Sequence, residues 1–152
     1  MKVYRMCKSD CATDLTGAGV MQSGGRWNSR GLPMVYTASS KALCVAGMAV
    51  HTSPNILSGG WVLVTIDIPD EIRIEVLDIT MLPDDWRTFP IPDSTQEIGD
   101  QFIEENEYAV LKVPSAIVPG DYQYLINPSH PDISDIEVAD KEPFSIDISH
   151  AW

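Results

Sequence analysis

Gly24-Gly-Arg-Trp-Asn-Ser-Arg-Gly-Leu-Pro-Met-Val-Tyr36 is the stretch that decides the fold, because a glycine-rich loop runs here into a short apolar strand predicted over Met34 to Thr37. Such a loop brings backbone N–H groups and the guanidinium of Arg26 within reach of a phosphate, and Trp27 could stack on a ligand ring. In the structural alternative, Trp27 fills the core and Arg26 makes a local ion pair. The P-loop and dinucleotide-binding glycine patterns are both absent, so the residues alone leave the two open.

On the amino-terminal side, the sequence predicts one long irregular loop. Residues Ser9 to Pro33 are rich in Gly, Ser, Thr and Asn, and a short strand over Lys2 to Met6 precedes them. Long loops inside compact domains are usually functional. The loop is therefore the first candidate for a site.

On the carboxyl side, a helix is predicted. Ser39 or Ser40 can cap it, and it runs to about His51. The helix is apolar almost all round, which predicts that it is largely buried. Gly47 lies in its middle, where glycine destabilises a helix by roughly 1 kcal/mol relative to alanine. This glycine therefore needs an explanation.

The rest of the chain is predicted to be rich in strands. Val62 to Ile68 and Arg73 to Ile79 alternate as strands do and predict a hairpin. Ser94 to Glu97 has the form of a capping box that opens an acidic helix. Further strands are predicted over residues 108–113, 122–126, 133–138 and 144–148, separated by prolines. Because strands outnumber helices and βαβ alternation is rare, the sequence predicts an α+β fold of mainly antiparallel sheets with a few helices.

Length and charge limit the possible functions. The 152 residues suffice for one hydrophobic core and no linker divides them, so a single domain is expected over residues 1–152. The 22 acids and 10 bases give a formal net charge of −12, which disfavours direct binding of DNA or RNA. Several bases nevertheless lie in the first 41 residues: Lys2, Arg5, Lys8, Arg26, Arg30 and Lys41. This local basic character suits a small anionic ligand.

Cysteine and histidine usage predicts a cytoplasmic protein without a metal site. Cys7, Cys11 and Cys44 are odd in number and follow no secretory signal, so reduced thiols are expected. The histidines are scattered singly, which does not match the spacing of zinc ligands. The apolar stretches are shorter than a membrane span.

Three separated motifs resemble the signatures of the RES-domain toxins, of the RES/Xre type II toxin–antitoxin family. They are Gly25-Arg-Trp-Asn28 with Gly31-Leu-Pro-Met-Val-Tyr36 and the helix from Ser40 to His51, then Val113-Pro-Ser-Ala-Ile-Val-Pro119, then Tyr124-Leu-Ile-Asn-Pro-Ser-His130. They stand in the same order as in that family. With Arg5 near the start, the resemblance extends over almost the whole chain.

The resemblance implies a fold, an activity and a partner. The fold would be related to the ADP-ribosyltransferases, and the activity would cleave NAD, as substrate and without a metal, at the nicotinamide–ribose bond. Water or a protein would accept the ADP-ribose. An antitoxin of the Xre helix-turn-helix type, encoded beside the toxin, would hold it inactive. DNA contact would then fall to the antitoxin, which agrees with the negative charge of this chain.

The resemblance also implies roles for residues of the amino-terminal half. Arg26 would hold the NAD phosphates or the nicotinamide ribose, and Tyr36 would pack against the nicotinamide ring. Arg5 would provide a second anionic anchor. Trp27 could stack on the nicotinamide or adenine ring. From the residues alone, Tyr36 could equally be a core aromatic.

Two residues of the carboxyl-terminal motifs complete the implied site. Ser115 would offer a hydroxyl to the ribose region, and Asn127 would hold its loop or touch the ligand. A turn residue is the alternative for Ser115.

Gly47 departs from the family, whose members carry a glutamate on the helix after the tyrosine strand. That carboxylate would face the positive charge that develops on the ribose as nicotinamide leaves. Losing such a group commonly lowers a rate on the order of 100- to 1000-fold. Three explanations stay open: an introduced inactivating substitution, a natural non-catalytic protein that still binds NAD or antitoxin, or another acid in the role, such as Glu71 or Asp67. A β-rich interaction module without a nucleotide site is the remaining alternative function.

Overall fold

The structure, a computed structural model, describes residues 1–51 and 59–145. Within these ranges the chain forms one seven-stranded sheet, three α-helices and three short 3₁₀ turns. The strands are β1 (Lys2–Lys8), β2 (Val35–Ala38), β3 (Trp61–Asp67), β4 (Ile74–Val76), β5 (Val110–Pro114), β6 (Tyr122–Ile126) and β7 (Glu137–Phe144). The helices are α1 (Ala18–Ser23), α2 (Lys41–His51) and α3 (Asp93–Glu105), and the turns are Ser9–Cys11, Ile79–Met81 and Pro131–Asp135.

The sheet is almost entirely antiparallel. Its order is β4-β5-β6-β2-β1-β3-β7, and only β4 and β5 run parallel. β1 lies near the centre and pairs with β3 along its whole length, from Lys2 opposite Asp67 to Lys8 opposite Trp61. The predicted α+β fold with mainly antiparallel strands is confirmed.

Both faces of the sheet carry a hydrophobic cluster. On β5, Val110 belongs to one cluster and the next residue, Leu111, to the other. On β6, Ile126 and Leu125 divide in the same way, because successive side chains of a strand point to opposite faces. α3 covers the second face through Phe102, which is almost fully buried.

The predicted hairpin of residues 62–68 and 73–79 is wrong. β3 lies between β1 and β7, whereas β4 pairs with β5 at the far edge of the sheet. The turn that ends β3 is present, since the Ile72 N–H donates to the Pro69 carbonyl at 3.1 Å. Alternation predicts that a strand has one buried face, but it does not identify the neighbouring strand.

The predicted capping box of α3 is not formed. Pro92 occupies the N-cap, so Ser94 falls within the first turn, and its hydroxyl donates to Asp85 Oδ1 at 2.7 Å. A side chain inside the first turn does not occupy the position from which an N-cap residue accepts the helix N–H groups. The helix begins one residue before the serine that was expected to cap it.

The predicted strand over 133–138 is replaced by the 3₁₀ turn Pro131–Asp135 and by β7, which begins at Glu137. Of the predicted strand over 144–148, Phe144 is the last residue of β7. Residues 146–148 lie outside the described ranges. Pro143 lies within β7 opposite Val62. This is possible because β7 is an edge strand, where a missing N–H leaves no partner unpaired.

α2 is capped as predicted, because the Leu43 N–H donates to Ser40 Oγ at 3.1 Å, but the helix is not largely buried. Leu43 and Met48 are its buried residues among those described, and Val50 is 62% exposed. α2 is apolar almost all round because one of its sides lines an open cavity instead of packing into the core. None of the helices in the described ranges is long and apolar enough to cross a membrane.

Candidate functional site

A cavity of about 980 Å³ opens between α2, strands β1 and β2, and the loop around α1. This loop was predicted to be irregular throughout, but it contains a 3₁₀ turn and α1. The charged residues in the described lining are three arginines and one acid: Arg5, Arg26, Arg87 and Asp14. The lining is therefore locally positive in a chain of net charge −12, which favours an anionic ligand.

The glycine-rich loop is fixed to β2 through Tyr36. The Tyr36 hydroxyl donates to Asn28 Oδ1 at 2.5 Å and accepts the Trp27 N–H at 3.0 Å. Glycine is required at position 25, because a Cβ there would lie 2.6 Å from the Tyr36 hydroxyl oxygen. Burial raises the pKa of Tyr36 well above its ordinary value, so the phenol stays neutral.

α3 holds the same loop from the other side. Gln96 Nε2 donates to the Gly25 carbonyl at 3.0 Å. The two oxygens of Asp100 accept the Ser29 N–H and hydroxyl at 2.7 and 2.5 Å. At Gly99 the helix approaches so closely that a Cβ would lie 1.5 Å from the Trp27 carbonyl oxygen. The loop geometry is thus determined by α3.

Arg26 lines the cavity and also ties the loop to a distant segment. Its Nη1 donates to the carbonyls of Trp86 and Thr88 at 2.9 and 3.0 Å. Burial lowers the pKa of Arg26, but an arginine keeps its charge in proteins. Within the described residues, Arg26 makes these two hydrogen bonds to backbone instead of the local ion pair that was considered as the structural alternative.

Arg5, on β1, contacts Asp14 in the amino-terminal loop. Arg5 Nη1 donates to the Asp14 main-chain carbonyl in a short hydrogen bond. The Asp14 carboxylate accepts the Thr16 hydroxyl at 2.5 Å and the Thr16 N–H at 2.8 Å, and these bonds lower the pKa of Asp14. The one acid in the described lining is therefore held in its charged form by its own turn.

Gly47 and Ser115 lie on the remaining walls of the cavity. A Cβ on Gly47 would have only ordinary contact, at 3.9 Å from Ile117 Cδ1. Ser115 is 3% exposed, and its Oγ accepts the N–H groups of Ile117 and Val118, both at 3.1 Å. The turn role considered for Ser115 is present, and the hydroxyl proton remains for a further acceptor.

Trp27 and Asn127 do not line the cavity. Trp27 is fully buried beside Met34 in the cluster under α3, so in this structure its ring cannot stack on a ligand as expected. Asn127 is also fully buried; its Nδ2 donates to Asn106 Oδ1 at 2.8 Å and its Oδ1 accepts the Ser129 N–H at 3.0 Å. The structure places both in the scaffold, where Asn127 holds its loop.

The acids considered as replacements for the missing glutamate also lie elsewhere. Neither Asp67 nor Glu71 lines the cavity, and Asp67 pairs with Lys2 Nζ at 3.2 Å. Within residues 1–51 and 59–145, the carboxylate in the lining is that of Asp14. The structure therefore does not place Asp67 or Glu71 where its carboxylate would face a ligand in the cavity.

The three cysteines are free, and all of them line the cavity. Burial raises the pKa of Cys7, and it raises the pKa of Cys44 to about 12. Across the described ranges, no group of three or more His, Cys, Asp or Glu side chains is placed to hold a metal ion. The Cys7 and Cys44 thiols are thus kept protonated near neutral pH.

The segment Trp86–Ile91 was not predicted to belong to the site, but its residues Arg87, Phe89 and Ile91 line the cavity. The segment is part of a proline-rich connection and has no hydrophobic period. An arginine between aromatic residues was the feature of the sequence that could have indicated a role in the site. Gln96 and Asp100 were also missed, because their role depends on how α3 packs against the loop.

Replacing Tyr36 with phenylalanine is expected to lower the free energy of unfolding by about 1–3 kcal/mol, because the Asn28 Oδ1 and the Trp27 N–H would lose a partner. Urea denaturation measures this. Tyr122→Phe is the matched control, since Tyr122 is 40% exposed, and it should change stability by less than about 0.5 kcal/mol. Equal losses in the two variants would contradict the role given to the Tyr36 hydroxyl.

The fold and cavity define a class of protein: an α+β domain in which an arginine-lined cavity lies against an antiparallel sheet. The RES domain family model matches residues 2–147. The chain therefore belongs to the RES domain family.

Similar proteins include two named toxins. The chain is 41% identical over 128 residues to "Prs ADP-ribosylating toxin" of Sphingobium sp. (strain YBL2), which covers 83% of this chain and 80% of that protein. It is 39% identical over 130 residues to "Toxin Res" of Photorhabdus laumondii, covering 84% and 82% of the two proteins. Both of these relatives are thus named as toxins.

A solved structure has the same fold. The Mycobacterium tuberculosis MbcT–MbcA toxin–antitoxin complex matches with a TM-score of 0.76 over 95% of this chain and 84% of that chain, at 22% identity. At this identity, the match establishes the architecture.

Proposed function

We propose that this chain is the toxin of a bacterial toxin–antitoxin pair and that the cavity binds NAD. One observation carries the proposal: five of the residues implied by the resemblance, from three separate parts of the chain, line one cavity. They are Arg5, Arg26, Tyr36, Gly47 and Ser115. The cavity volume of about 980 Å³ lies at the upper end of the range for small-molecule sites, as a dinucleotide requires. The names of the relatives support the same function.

The proposed reaction is cleavage of NAD at the ribose. The bond between the nicotinamide nitrogen and C1′ breaks, nicotinamide leaves with the electron pair, and the ribose carries positive charge. Water or a nucleophile of a protein then attacks C1′ and loses a proton. Arg26 would hold the phosphates or the nicotinamide ribose, and Arg5 would provide a second anionic anchor. The Ser115 hydroxyl would donate toward the ribose.

Gly47 impairs this reaction in the proposed mechanism. The glycine lies at the cavity wall, where a carboxylate could face the ribose without a clash at its Cβ. Asp14 is the carboxylate of the described lining, and one of its oxygens is already engaged by Thr16. Transition-state stabilisation at C1′ would therefore be weak.

The second candidate is a non-catalytic protein that binds NAD or the antitoxin. The absence of a side chain at Gly47 favours it directly. In both cases the partner would be an antitoxin of the Xre helix-turn-helix type. The relationship to a toxin–antitoxin complex supports an antitoxin partner.

Titration of the chain with NAD in a calorimeter tests the proposed site. We expect saturable binding by the unaltered chain and by Gly47→Ala. We expect loss of binding by Gly47→Phe, whose ring would occupy the part of the cavity proposed for the nicotinamide ribose. Thermal melting should show that both variants fold, because Gly47 has no close neighbour at its Cβ position. An unaltered chain that binds no NAD, or a Gly47→Phe variant that binds it as well, would overturn the proposal.

A further inference from the structure

The segment Trp86–Ile91, called the rim segment below, has a fixed backbone. Trp86 is 8% exposed and packs into the core. Arg26 holds the carbonyls of Trp86 and Thr88, and the Thr88 N–H donates to the Asp85 carbonyl at 3.0 Å. The side chains of Arg87 and Phe89 are therefore presented to the cavity from a rigid support.

Arg87 differs from the other two arginines of the lining. Arg5 and Arg26 both donate to backbone carbonyls. Arg87 is exposed; its contact is with the ring of Trp86, at 5.7 Å, and it has no hydrogen bond or ion pair to any residue of 1–51 or 59–145. In a chain with 22 acids, an arginine that faces a cavity without a carboxylate partner retains its full set of donors for an anion.

Phe89 differs in the same way from the other aromatic residues of the lining. The Tyr4 and Trp61 rings each have a lysine ammonium over them: Lys41 lies 5.8 Å from the centre of the Tyr4 ring, and Lys8 lies 4.5 Å from the centre of the Trp61 ring. The Tyr36 hydroxyl is held in the glycine-rich loop. Phe89 is 81% exposed at the cavity and no described cation lies over its ring. Its face is accessible to a flat ligand ring.

We infer that the rim segment is the subsite for the ADP half of the dinucleotide, with Arg87 on the pyrophosphate and Phe89 against the adenine. The inference rests on the proposed binding of NAD. If the nicotinamide ribose lies between Gly47 and Ser115, the pyrophosphate and the adenosine must extend to other parts of the lining. A forked guanidinium matches phosphate oxygens, and an aromatic face stacks on a base. The rim segment provides the two groups two residues apart.

ADP and NAD are the probes that test this subsite, each titrated into the unaltered chain and its variants. Arg87→Gln and Phe89→Ala are each expected to weaken the affinity for both probes by about 10-fold. The first variant loses a pair of charge-assisted hydrogen bonds, and the second loses stacking on the base. Phe89→Tyr should restore binding because it keeps the aromatic face. Arg73→Gln and Met81→Ala are the matched controls, since both residues lie outside the cavity lining, and they should leave both affinities unchanged.

The outcomes separate the two proposals. If the unaltered chain binds NAD and the Arg87 and Phe89 variants bind NAD and ADP equally well, the rim subsite is wrong and the proposed function stands. If the unaltered chain binds neither probe, both proposals are overturned. Because both side chains are exposed, circular dichroism and melting curves should match those of the unaltered chain, and a variant that loses affinity while folded supports the subsite.

Discussion

Gly47→Glu is expected to raise the rate of NAD consumption by about 100- to 1000-fold over that of the unaltered chain. The new carboxylate would face the positive charge that develops at C1′, and it would stabilise the transition state more than the ground state. The helix should accept the change, because the nearest atom to a Cβ at this position is Ile117 Cδ1 at 3.9 Å. Replacing glycine inside a helix also adds up to about 1 kcal/mol of stability. The release of nicotinamide, followed by chromatography, measures the rate.

Gly47→Gln is the matched control for this experiment. Glutamine has nearly the same size and the same helix propensity as glutamate but carries no charge. A rate increase confined to the glutamate variant would identify the charge as the cause. In cells, induction of Gly47→Glu should lower free NAD and arrest growth, whereas Gly47→Gln should do neither. If the two variants consume NAD equally slowly, glutamate-centred chemistry at this position is wrong.

The glycine-rich loop before β2, β2 itself and α2 were predictable from sequence because their signals are local, whereas α1 was not predicted. Turn residues precede β2, and Ser40 caps α2 through a hydrogen bond to a residue three positions on. The pairing of β4 was not predictable in this way, because alternation describes the two faces of a strand and not its neighbours. The same limit explains the missing hairpin.

The site itself was predictable only in part, and the reasons are physical. The apolar pattern of α2 is the same whether the helix faces the core or a cavity. Trp27 and Tyr36 are both aromatic residues of one motif, yet Trp27 is fully buried in the scaffold and Tyr36 lines the cavity. Arg87 reaches the cavity through the tertiary bonds of Arg26, which no local pattern contains. The proximity of α3 to the loop is equally a tertiary property.

Gly99→Ala is expected to lower the free energy of unfolding by at least about 3 kcal/mol, because its Cβ would lie 1.5 Å from the Trp27 carbonyl oxygen, and α3 or the glycine-rich loop must move apart. The opposing atom is backbone and cannot rotate away as a side chain could. For a domain of this length, the melting temperature should fall by roughly 6–12 °C. The displaced loop contains Arg26, so NAD affinity should fall with stability.

Gly19→Ala is the control for the Gly99 prediction, because Gly19 lies in α1 and no atom beyond its own helix backbone and its chain neighbours is within 4 Å of its Cβ position. Alanine is the better helix former there, and the free energy of unfolding should stay the same or rise by up to about 1 kcal/mol. Urea denaturation measures the free energy of unfolding of both variants. The Gly99 variant reports the clash with backbone, and the Gly19 variant reports the change of helix propensity alone. A Gly99→Ala chain as stable as Gly19→Ala would mean that α3 does not press on Trp27. The loop that carries Arg26 would then be held by the side-chain bonds of Gln96 and Asp100, without the close approach at Gly99.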